Sequence, residues 1–100
     1  NQNAINIEGS HYTFKNLEIV GGSHGVRVGT SAHATFEDLL IRESGDVGLS
    51  CNRPMNTYED ITIRRVHIRD TGKSGGPGEC MYLGCNNGDC KLWGSLVEFN

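Results

Sequence analysis

The hydrophobic positions of this chain alternate with polar ones in short runs, and the runs repeat. Residues 12–28, YTFKNLEIVGGSHGVRV, are followed by ATFEDLLIRESGDVGL at 34–49, then by ITIRRVHIRDTG, a Gly-rich insert and ECMYL across 61–83. Phe14, Leu17 and Ile19 return as Phe36, Leu39 and Ile41 at an offset of 22 residues, and return again as Ile63, Val66 and Ile68 after an insertion. Within a run such as Leu17-Glu18-Ile19 the apolar side chains fall on every second residue, the period of a strand with one buried face. No helical period lies between the runs. A fixed repeat of this length predicts stacked units, because one unit cannot bury its apolar face alone. The fold expected is all-β: a parallel solenoid of about four coils, each of three short parallel strands, forming one domain over residues 1–100.

A strand at 4–7 reads as the tail of a preceding turn, and the first cycle then reads as strands at 12–14, 17–19 and 26–28, with corners at Lys15-Asn16 and at Gly21, Gly22 and Gly25. The inward columns are Phe14/Phe36/Ile63, Leu17/Leu39/Val66, Ile19/Ile41/Ile68 and Val28/Leu49/Leu83. The last strand of each cycle turns Arg27, Gly48 and Tyr82 outward, with Ser50 at a strand end. The corner column Asn16/Asp38/Arg65 is too mixed for a ladder of stacked amides. Two insertions, Asn52–Asp60 and Asp70–Glu79, lengthen corners, and insertions of this kind usually form loops on one face, often the binding face. Residues 93–100 begin a further coil. No amphipathic cap is visible at either end, so the chain reads as a piece of a longer solenoid or as a unit whose ends another copy covers.

Composition narrows the function classes. A net charge of −3 gives no basic face for nucleic acid. No apolar run approaches the ~18 residues of a membrane span, so a soluble chain is expected. Asn1 opens no signal peptide, which suggests a mature, trimmed or excised chain. Four cysteines allow three pairings and point to a secreted, disulfide-bonded protein. Their spacing lacks the close pairs of a zinc site. Leu49-Ser50-Cys51-Asn52 and Leu83-Gly84-Cys85-Asn86 align in successive coils, which would set Cys51 and Cys85 about one strand spacing (~4.8 Å) apart. Cys80–Cys90 would then be the second bond. A Cys85–Cys90 bond is the alternative.

These runs resemble the right-handed parallel β-helix proteins of the pectate-lyase-like superfamily. The resemblance rests on ITIRRVHIRDTG followed by GECMYLG, and on FKNLEI…GVRV and FEDLLI…VGLS. It implies a right-handed coil and a substrate groove along one sheet, here residues 26–28, 47–49 and 81–83. It spans lyases, glycoside hydrolases, esterases and non-catalytic adhesins, so it implies a fold more than a reaction.

On that groove Arg27 is suited to a uronate carboxylate, and the Tyr82 ring to a sugar face. Glu79 beside them could act as acid, base or ligand, and in a catalytic reading Glu79 or Arg27 is the acid or base. Ser50, His24, Asp46 and Asp70 are further substrate-binding candidates. Asp46, Asp70 and Glu79 are expected at equivalent corners, and calcium is the one cofactor they leave open. The four histidines sit on different corners and suggest no shared metal. Two functions follow. One is a secreted, carbohydrate-active protein that binds or cleaves a polysaccharide along one parallel sheet, as a lyase or hydrolase would. The other is a structural or adhesive unit that self-associates through its open ends.

Overall fold

The computed structural model describes residues 2–75, 78–85, 90–94 and 96–98. The alternating runs form β1 (Ile5–Val20), β2 (Val26–Arg42), β3 (Leu49–Cys51), β4 (Thr57–Arg69), β5 (Met81–Leu83), β6 (Lys91–Trp93) and β7 (Leu96–Glu98). The described residues contain no helix. Among the described residues every pairing is parallel, and the seven strands belong to one sheet. β2 is its hub: β1 lies along one edge, β3 and β4 along the other. β5 then adds to β3, and β6 and β7 add to β4.

The repeat at 22 residues is the register itself. Phe14 pairs with Phe36 and Phe36 with Ile63; Leu17, Leu39 and Val66 share a row, as do Ile19, Ile41 and Ile68. These columns are the core. Phe36, Ile41, Leu49 and Tyr58 are fully buried, and the Phe14 and Tyr12 rings meet Phe36 edge-on at 6.1 and 5.8 Å.

The expected right-handed β-helix of about four coils with three short strands apiece is corrected. The corner at Gly21, Gly22 and Gly25 does separate β1 from β2, but Lys15-Asn16 ends no strand: β1 and β2 run unbroken for 16 and 17 residues and curl as a half-barrel of parallel strands. A straight strand of 16 residues would reach ~53 Å, well beyond the longest extent of 30 Å. Single left-handed residues let the strands bend without losing their pairing. His11, His33 and Asp60 take φ of 59°, 54° and 55°, and Asn16, Asp38 and Arg65 take 61°, 54° and 51°. Each trio falls on one row of the register. Asn, Asp and His tolerate this conformation best. Arg65 does not share that tolerance, but its Nε and Nη2 bind the Asp38 carboxylate at 2.6 and 3.2 Å.

Three local expectations also change. The insertion Asn52–Asp60 is loop only to Asn56, because Tyr58 turns into the core and donates from Oη to the Val28 carbonyl at 2.6 Å. The column Val28/Leu49/Leu83 is out of register: Leu49 pairs with Val26 and Met81, and Leu83 with Cys51. The slip is two residues, which preserves which face each side chain takes. Gly48 therefore leaves the Arg27 row, and Ser50 enters it. Gly48 is buried instead, since a Cβ there would meet Ile68 Cγ2 and lie 2.7 Å from the Cys80 carbonyl oxygen.

Phe36→Ala is expected to cost about 3–5 kcal/mol, the range for deleting a buried aromatic, while Phe14→Ala, on a half-open column, costs less; urea titrations of both would rank them. The Arg65 hydrogen bond, with lesser help from its charge and from Lys15 and Arg64, lowers the Asp38 pKa. A lowered carboxylate adds stability above its unfolded pKa, and that stability is lost as pH falls through the folded value. The difference in melting temperature between wild type and Asp38→Asn should therefore close below about pH 4.

Candidate functional site

β2, β3 and β5 set three side chains on one row: Arg27 pairs with Ser50, and Ser50 with Tyr82. The row crosses the sheet at right angles to the strands, so its members stand one strand spacing (~4.8 Å) apart. Arg27 and Tyr82 are half-buried and Ser50 is fully buried. Arg27 Nη1 lies 3.1 Å from His24 Nε2. Burial lowers the His24 pKa, the Arg27 charge lowers it further, and Asp46 opposes both. A neutral His24 thus accepts from the guanidinium and orients it. Among the described residues, His24 Nδ1 and Ser50 Oγ have no hydrogen-bond partner, which leaves two buried polar atoms beside the row.

Asp46 is tied into the connectors next to this row. Its N–H donates to the Ser23 carbonyl at 2.7 Å, and its own carbonyl accepts from Gly72 at 3.1 Å. With Gln2, Gly22, Ser23 and Ser74 it lines a polar hollow of about 350 Å³. Glu79 is exposed, and its carbonyl accepts from Gly48 N at 3.1 Å. Continuing the ladder, Glu79 belongs to the row of Val47 and His24, two strands across and three residues along from Arg27. That is a Cα separation of ~14 Å by strand spacing and rise, so the fold does not bring Arg27 and Glu79 together. Asp70 sits at a left-handed bend, 3.2 Å from Arg69 Nη1. Its connector meets those of the other two: Gly72 N–H donates to the Asp46 carbonyl, and Thr71 Oγ1 donates to the Gly78 carbonyl beside Glu79. No group of three metal-capable side chains occurs among the described residues.

The cysteines follow the alternative pairing. Cys85 bonds Cys90 with a Cα separation of 5.8 Å, and Cys51 and Cys80 are free. The expected Cys51–Cys85 and Cys80–Cys90 bonds fail on register: Cys51 pairs with Leu83, two residues short of Cys85, and points into the core.

Two features escaped the sequence reading. His11 and His33, taken to lie on different corners, stack at 4.7 Å, and His33 Nδ1 meets Asp60 Oδ2 at 2.7 Å. Their 22-residue spacing was the available signal. A second hollow of about 340 Å³ is lined by Ser10, Thr30, Thr57 and Glu59 among others, past the Arg27 row along the chain.

No protein-family model matches the chain, and no curated protein or solved structure matches it either. The curled half-barrel, in place of the stacked coils of a right-handed β-helix, overturns the resemblance to the pectate-lyase-like superfamily. Runs such as ITIRRVHIRDTG carry the alternation that any parallel sheet with this repeat requires, so they did not discriminate a family.

Burial pushes the Cys51 thiol up to about 12, whereas Cys80 is exposed. Since the thiolate is the reactive form, native protein should take up one equivalent of a thiol reagent, at Cys80, and a second only on unfolding. Mass spectrometry of the labelled peptides checks this.

Proposed function

We propose that the protein binds an anionic polysaccharide at Arg27 and Tyr82, which flank the buried Ser50 on one row. The observation that carries this reading is a half-buried guanidinium, oriented by His24, on the same row as an aromatic ring two strands away. A guanidinium held in place matches a carboxylate bidentately, and the ring offers a sugar face an apolar platform. Asp46 and the adjoining polar hollow extend the strip toward hydroxyl groups. Binding, not cleavage, is the activity proposed, because Arg27 and Glu79 stand far apart for groups acting on one bond. The Cys85–Cys90 disulfide favours an oxidising, extracellular setting.

A second reading, a structural unit that self-associates, is favoured by the long edge of β1. Among the described residues β1 is paired on one side only, and Leu17 is 45% exposed where its partner Leu39 is 3% exposed.

Titration calorimetry with polyuronate, with and without calcium, tests the first reading. Arg27→Ala should weaken binding about ten- to hundredfold, the scale of a hydrogen bond to a charged group, and added salt should weaken it further. Tyr82→Ala should cost less, and a neutral glucan should bind poorly. Absence of binding to any acidic polysaccharide, or binding indifferent to Arg27, would sink the proposal. Unsaturated or reducing ends appearing in the same samples would reveal cleavage.

A further inference from the structure

The two rims of the sheet fit one another. At one rim stands β1, unpaired on its outer side among the described residues. At the other stand β5, β6 and β7. Following the register from rim to rim, Ile5–Ile7 corresponds to Met81–Leu83, and Gly9 to Leu92. Thr13–Lys15 corresponds to Leu96–Glu98. All three end strands thus have a counterpart in β1, in the same order and direction.

The chemistry of the rows agrees. Ile5, Ile7 and Phe14 on one rim, and Met81, Leu83 and Val97 on the other, are partly buried and packed against the same core. Each is an apolar column cut open at its end. One column beside them carries charge: Lys15, Glu37, Arg64 and Glu98 share a row and alternate in sign. Glu37 binds Arg64 at 3.0 Å within it. A second copy set against the β7 rim in the same register would bring its Lys15 beside Glu98 and continue the alternation. Its Phe14 would cover Val97. Strands that all run one way give rims of opposite kind, so the contact is heterologous and can propagate.

We infer that the protein associates head to tail with copies of itself, β1 of one adding in parallel to β5, β6 and β7 of the next, with Lys15 of one facing Glu98 of the other. This deepens the self-association reading and rests on it. The paired partner would be a second copy of this chain, selected by the apolar columns and oriented by the charge row.

Sedimentation velocity over a concentration series tests it, using wild type, Lys15→Glu, Glu98→Lys and the double variant. Wild type should grow in size with concentration. Each single reversal should raise the concentration of half-assembly about three- to tenfold, the scale of turning one exposed attractive pair into a repulsive one. The double variant should recover assembly, since the intermolecular pair is restored with its signs exchanged. Circular dichroism melts show whether each variant is folded, and Lys15→Gln and Glu98→Gln carry the test if a reversal unfolds the chain. A wild type that stays monomeric throughout overturns both self-association and this register. Assembly unmoved by either reversal overturns the Lys15–Glu98 register and leaves self-association standing.

Discussion

The structure depends on β2 being paired in parallel along both of its edges. Its inward residues, Val26, Val28, Phe36 and Ile41, are wholly buried because like residues stand on either side of them. The equivalent residues of β1 have a neighbour on one side alone, and Leu17 shows the difference. Stability here is a property of rows rather than of strands, as in other architectures where each unit touches only its neighbours. A single strand of this sequence would have little reason to hold its shape.

Rows impose a condition on the bends. A strand that curves must curve where its neighbour does, or the hydrogen bonds between them fail. The left-handed residues satisfy this by falling on common rows, His11 with His33 and Asp60, and Asn16 with Asp38 and Arg65. Side chains at these bends are brought within reach of each other by the same stacking. The His11–His33 stack, the His33–Asp60 contact and the Asp38–Arg65 pair are its products. Bending and cross-strand electrostatics thus use the same positions.

The proposed binding row and the proposed self-association meet at β5, which carries Tyr82 and forms part of one rim. The Arg27–Ser50–Tyr82 row crosses the sheet from β2 to β5, on the side where connectors replace long strands. The rims run along the sheet's outer edges. Addition of a copy at the β5 rim would extend the row through Asn6, which pairs with Arg27, so a stack of copies would lengthen the strip instead of blocking it.

Local pattern determined that the chain is all-β and which residues of its strands face inward. The 22-residue return of Phe14, Leu17 and Ile19 already identified three columns of the core, because side-chain direction alternates with a period of two and burial selects one parity. It did not determine where β3 sits against β2 and β5. Those spacings depend on how much chain the connectors consume, and the connectors carry no periodic signal. The result was a two-residue slip that kept every side chain on its proper face while moving Ser50 onto the Arg27 row and Cys51 away from Cys85. The same limit hid Tyr58, whose burial follows from its pairing with Ser31 across 27 residues, and the meeting of His33 with Asp60. Alternation is a property of neighbours in sequence, so the sequence alone carried it; register between strands joined by irregular loops is a property of packing, and only the tertiary structure decided it.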